Sequence, residues 1–229
     1  MNGSRIALAV VGYACGFATA SAAQRSGTPR DTVDVAVGSP LVNTSGVVPH
    51  RARTLMSRTT NGVAASGPEF FWTFAFPDSA GVSYFHIESA MGGQLNTVFM
   101  LDRKTLAPLR INGAAPPLPA PAFLGGLADL LVEALPRRIG TVYRANIWRR
   151  GMSNVETHLF ETTSREDITV LGHAHKQAWV VEDRSADGAT LFGRMWLVGV
   201  APYLVRWTIN NPDGSVTQFD QELAKEATP

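Results

Sequence analysis

A single cysteine, Cys15, occurs among 229 residues. It lies inside the segment that reads as a cleaved leader, so the mature chain is expected to have no disulfide, no thiol nucleophile and no cysteine metal site. Charge excess is also missing: 20 Lys and Arg stand against 19 Asp and Glu, and one of the basic residues, Arg5, leaves with the leader. A formally neutral mature chain lacks the basic surplus of a general nucleic-acid binder. No H-E-x-x-H, no G-x-S-x-G and no G-x-x-x-x-G-K-S/T occurs. The signatures of zinc peptidases, α/β-hydrolases and phosphate-loop enzymes are therefore absent, and Met91-Gly92-Gly93 reads as a turn. Nothing after the leader resembles a stop-transfer run.

The leader itself is residues 1–23. Arg5 forms a short positive start, residues 6–18 an apolar stretch, and Ala20-Ser21-Ala22-Ala23 a small-residue cleavage site. The expected address is the periplasm or the exterior. Anchoring as a lipoprotein through Cys15 fits poorly, because Gly12 and Tyr13 stand where a lipobox has an aliphatic and a small residue. Cleavage is expected after Ala23, which mass analysis of the mature N-terminus checks; a chain starting at an acylated Cys15 would mean membrane anchoring instead.

About 205 residues then remain, enough for one domain with a real core. Residues 24–46, rich in Gly, Thr, Pro and Arg, read as a flexible leader with an edge strand near 33–37. Residues 47–223 read as one all-β domain and 224–229 as a tail. Its centre is the stretch 188–209, in which two runs rich in β-branched and aromatic residues, 189–198 and 203–209, flank Gly199-Val200-Ala201-Pro202. Alternation places Leu191, Met195 and Leu197 on one face and Phe192, Trp196 and Val198 on the other. Further strands are expected at 47–56, 69–76 (aromatic at Phe70, Trp72, Phe74 and Phe76), 82–90, 95–102, 105–111, 141–150, 155–162, 168–176, 177–184 and 216–223, with 59–68 a loop. The turn spacing predicts a single antiparallel curved sheet, or incomplete barrel.

One segment breaks the pattern. Four prolines fall in 114–121, and 122–135 then carries a helical period. Phe123, Leu127, Leu130, Leu131 and Ala134 share one side, with Asp129 and Glu133 on the other. Gly125-Gly126 should weaken this amphipathic helix by about 1 kcal/mol per glycine. Laid over the sheet, it would serve as a lid on an apolar concavity. Phe123, Leu127, Leu131, Trp72, Trp179 and Trp196 are the expected lining, and Arg137 and Arg138 the rim that meets an anionic head group.

Leu101-Asp102-Arg103-Lys104-Thr105-Leu106-Ala107-Pro108-Leu109-Arg110 resembles the D-x-x-T-L-x-P-L-R segment of exported bacterial proteins of the DUF3108-like group. Trp179-Val180-Val181-Glu182, Trp196-Leu197 and Pro202-Tyr203-Leu204-Val205-Arg206 resemble that group's closing strands. The resemblance implies an all-β curved sheet, distantly akin to lipoprotein carriers of the LolA/LolB type, and brings no catalytic residue.

Three functional classes follow. The first is a non-catalytic carrier of a lipid or other amphiphile in the cell envelope, without cofactor, with peripheral membrane contact open to it. The second is a structural or interaction module of an envelope assembly. The third is a metal-dependent enzyme. On a strand His173 and His175 share a face and could meet one Zn²⁺, with His158 or His86 as third ligand and Glu88 or Glu156 beside it. Glu182 and Asp183 should point to opposite faces and act apart. Arg137, Arg138, Arg144, Arg149 and Arg150 form a basic cluster with no acidic residue from 134 to 155.

Overall fold

A computed structural model describes residues 31–79, 82–149 and 151–224. The expected signal segment 1–23 and Arg150 lie outside the described residues. The N-terminal half comprises β1 (Thr32–Val35), β2 (His50–Thr60), β3 (Val63–Ala75), β4 (Asp78–Ser79), β5 (Val82–Met91), β6 (Gln94–Asp102) and β7 (Pro108–Ile111). A connector carries β8 (Phe123–Leu124), a 3₁₀ turn (Gly125–Leu127) and α1 (Ala128–Ala134). The C-terminal half is β9 (Val142–Trp148), β10 (Glu156–Val170), β11 (His173–Ser185), β12 (Leu191–Leu197), β13 (Leu204–Asn210) and β14 (Val216–Leu223).

All strands but the two-residue β4 and β8 follow one path, β1-β9-β10-β11-β12-β13-β14-β2-β3-β5-β6-β7. The sheet is open and curved. Its pairings are antiparallel except where β1 and β8 both run parallel to β9. The two halves join where β14 pairs β2 and where β1 pairs β9. The expected central hairpin is present as β12 and β13, flanked by β11 and β14.

Alternation accounts for most of the inner face: Phe160, Val181, Met195 and Leu197 are buried at two-residue spacing on their strands. One position departs from it. Asp183 pairs Gly193 and Arg184 pairs Leu191, so Phe192 is an unpaired bulge residue. Its ring lies 4.9 Å from that of His158, on the inner side. Trp196 is half-buried, and its indole N–H donates to Glu166 at 3.1 Å. Phe192 and Trp196, which simple alternation puts together, are thus separated.

The helix is shorter than its period predicts. Phe123 and Leu124 are extended and pair with Ile147 and Trp148, and α-helix begins only at Ala128. Gly125 explains the break: a Cβ there would sit 2.8 Å from Arg149 Cγ and 3.1 Å from Ile147 Cγ2, so only glycine lets the turn close on β9. The helix lies inside the curve of the sheet. Leu130, Leu131, Val132 and Ala134 are each at most 4% exposed. Burial of each large side chain is worth about 2 kcal/mol, enough to hold a seven-residue helix that would not form alone.

The expected leader is packed from its first described residues onward. Val35, Val42, Thr44 and Val47 are buried. Asn43 N–H donates to Ala134 O at the helix end (2.8 Å), and Thr44 Oγ1 to Arg103 O (2.6 Å). The Tyr203 hydroxyl accepts from Val48 N–H (3.0 Å) and donates to Gly46 O (2.8 Å). This strap satisfies an open helix carbonyl and ties the helix to the turn between β12 and β13.

The D-x-x-T-L-x-P-L-R segment is a structural turn. Asp102 Oδ1 accepts from the Lys104 and Thr105 N–H groups and the Thr105 hydroxyl, all within 3.0 Å.

Candidate ligand-binding cavities

The helix does not fill the concavity. Two cavities remain beside it, and both are bordered by Gly126 and Trp207, so they adjoin there. A Cβ built on Gly126 meets nothing within 4 Å. Of the two glycines, the first is fixed by close packing and the second opens onto space.

The larger cavity, about 320 Å³, is walled by Ile147, Trp148, Phe192, Trp207 and Ile209. Two polar side chains enter it, His158 and Asp183. They reach it from neighbouring strands: His158 precedes Phe160 by two on β10, and Asp183 follows Val181 by two on β11. His158 is 1% exposed, and its Nδ1 lies 2.6 Å from Asp183 Oδ1. A carboxylate on Nδ1 places a ring hydrogen there. Nε2 is buried without a hydrogen bond, 3.7 Å from Glu156 Oε2. The pair is a buried polar contact in the wall of the cavity. Arg149, exposed and 5.6 Å over the Phe192 ring, borders the same cavity.

The smaller cavity, about 180 Å³, is aromatic: Phe70, Trp72 and Phe74 from β3, Trp207 from β13 and Phe219 from β14. The strand register explains the stripe, since Phe70 pairs Thr54, which pairs Gln221, and Trp207 pairs Phe219. Thr54, Gln221 and Asp129 are its polar members. Thr54 is 3% exposed, and its hydroxyl has no hydrogen-bond partner. Burial pushes the Asp129 carboxyl up to about 6, against the pull of the Asp129 and Leu130 backbone N–H groups. Among the described residues Asp129 makes no ion pair. Glu133, one turn on, is also raised by burial but is held by Arg137 at 2.5 Å. His50 shares a narrow hollow with Asp129, and burial lowers its pKa, so it stays neutral there.

The residues expected to line one mouth fall in several places. Trp72 and Leu127 border the smaller cavity. Leu131 is sealed in the core at 1% exposure, and Phe123 borders a separate hollow beside β1. Trp179 lies under Arg165, whose guanidinium is 3.6 Å from the ring centre, and Trp196 pairs with Glu166; neither lines the larger or the smaller cavity. Arg137 is engaged by Glu133, while Arg138 is exposed. Arg144 pairs with Asp34 at 3.3 Å.

The expected metal ligands are not assembled. His173 and His175 sit where the β10–β11 hairpin turns, and His173 lies 3.3 Å from Glu222. His158 is at the opposite end of that hairpin, opposite Ser185, and His86 bonds Glu88 on β5. No group of three metal-ligating side chains converges among the described residues. Glu182 and Asp183 do face apart: Glu182 bonds Arg184 and Arg194, and Asp183 bonds His158.

Two signals for these sites were present but easily missed. His158 and Asp183 each stand in the apolar phase of a strand, beside Phe160 and Val181. Asp129 occupies the polar side of the helix, and that side borders the smaller cavity.

No family model matches the chain, and no curated protein does. The DUF3108-like resemblance therefore stands on its quoted segments alone. Among solved structures, the fold is similar to that of a β-barrel-like protein of a domain of unknown function, DUF1849, from Brucella abortus. The match has 10% identity and a TM-score of 0.42, covering 78% of this chain and 99% of that one. At that score nothing about the site is transferred between them.

Proposed function

We propose that this chain is an exported, non-catalytic binding protein of the cell envelope that holds a small apolar or amphiphilic molecule in the concavity of its sheet. The observation that carries the reading is the pair of adjoining cavities beside the buried helix. The larger, at 320 Å³, falls at the low end of the roughly 300–1,000 Å³ of ligand pockets. Its mainly apolar wall with a few inward polar groups is the usual composition of such sites. Export rests on the sequence of residues 1–23, and kinship with the DUF3108-like group on the quoted turn and strands.

The neutral fluorescent probe N-phenyl-1-naphthylamine should bind the purified protein at micromolar concentration. Gly126→Leu should reduce that binding by tenfold or more, because the new side chain starts from a residue that borders both cavities. Its own stability should change by less than about 1 kcal/mol, as the Cβ position is open. Absence of probe binding to the wild-type protein would overturn the reading.

A further inference from the structure

We infer that the smaller cavity is a site for an organic ammonium group, with the aromatic side chains as its walls and Asp129 as its counter-charge. The inference rests on the reading of the concavity as a ligand site and adds the chemical class of the ligand. Three observations carry it. The walls are aromatic side chains from three strands, and Trp72, Phe70, Trp207 and Phe219 are only half-buried, with Trp72 stacked on Phe99 at 6.4 Å and Trp207 tilted against Phe219 at 5.8 Å. Aromatic faces attract a cation through the ring quadrupole, most strongly in a desolvated site. A carboxyl group reaches the same space with no cationic partner among the described residues: Arg137 is engaged by Glu133, and His50 is neutral. Finally, Thr54 borders the cavity and its buried hydroxyl has no hydrogen-bond partner, an unmet polar group in the wall.

The size fits. A space of 180 Å³ equals about six water volumes, enough for a small branched ammonium but not for a long chain. A tail attached to such a head would pass Gly126 and Trp207 into the larger apolar cavity. A free amine and the head of a tailed amphiphile share this chemistry, and the test separates them.

Binding of choline, of its neutral carbon isostere 3,3-dimethyl-1-butanol and of dodecyltrimethylammonium is measured by calorimetry at pH 8, on wild type, Asp129→Asn, Trp72→Leu and Gly126→Leu. Wild type should prefer choline over the isostere by roughly tenfold or more. Asp129→Asn should abolish that preference while leaving isostere binding unchanged, and Trp72→Leu should weaken choline. If dodecyltrimethylammonium binds far tighter than choline and Gly126→Leu cancels the gain, the source is a tailed amphiphile; equal affinities point to a free amine. Equal binding of choline and isostere, no choline binding, or a preference that survives Asp129→Asn overturns the ammonium site. In each of these cases naphthylamine binding by wild type keeps the broader reading standing, and its loss as well would remove both.

Discussion

Asp129→Asn should raise the thermal midpoint at pH 8 by roughly 5–10 °C, and the gain should vanish below pH 4. The carboxyl titrates at about 6 in the folded chain against 3.8 in an exposed one, because burial disfavours its charged form. The folded state therefore holds a proton that the unfolded state has released. The associated stability is fully present below 3.8 and is lost as pH rises through 6. A difference near two pH units corresponds to about 3 kcal/mol at pH 8, and about 2–4 °C per kcal/mol is usual for a domain this size. Asparagine keeps an oxygen for the backbone N–H groups and has nothing to ionise. The groups nearby set the background: Glu133 with its Arg137 partner, and His50 across the narrow hollow. Thermal melts of both proteins from pH 4 to 8 decide it. A gain that is equal at every pH, or no gain at pH 8, would mean that the carboxyl is not desolvated.

Gly193→Ala should cost about 3 kcal/mol or more and leave little folded protein at 37 °C. The added methyl would stand 2.0 Å from the Thr208 carbonyl oxygen and 3.1 Å from its carbon. Those are backbone atoms of the neighbouring strand, so no rotamer change can relieve the contact. Movement of β12 away from β13 would break the ladder that holds Met195 against Trp207. Gly199→Ala is the control: nothing lies within 4 Å of its Cβ position, and its change should stay within about 0.5 kcal/mol. Urea midpoints of the two variants provide the comparison. Near-equal midpoints would show that β12 and β13 are not packed this closely.

Strands with strict alternation were legible because each residue's face follows from its two neighbours. Phe70, Trp72 and Phe74 on β3 and Met195 and Leu197 on β12 are of this kind. Turns hidden among ordinary residues were not. Asn61-Gly62 closes a hairpin with both residues in the left-handed region, at φ 51° and 79°. The small residues after it read as loop, yet they form the start of β3. Leu171-Gly172 does the same at 49° and 83°, dividing the expected strand 168–176. Leucine gave no cue there. The helical period survived only from 128 to 134, because contact between Gly125 and β9 is a tertiary fact. The cavities were harder still. Trp72 and Leu127 meet in space only through the curvature of the sheet. The partnership of His158 with Asp183 depends on strand register, and Phe192 joins them by a bulge that breaks the alternation.

The pairing of β14 with β2 has a consequence in time. Residues on those strands meet across roughly 160 positions of the chain, whereas most other pairings are between close neighbours in sequence. Each half can zip its own hairpins in microseconds, but the path from β13 to β2 cannot be completed until residues 216–223 arrive. Until then β2, eleven residues long, presents an unsatisfied edge. The strand 216–223 is thus the one that completes the path. A chain interrupted in that interval would find its missing strand in another molecule.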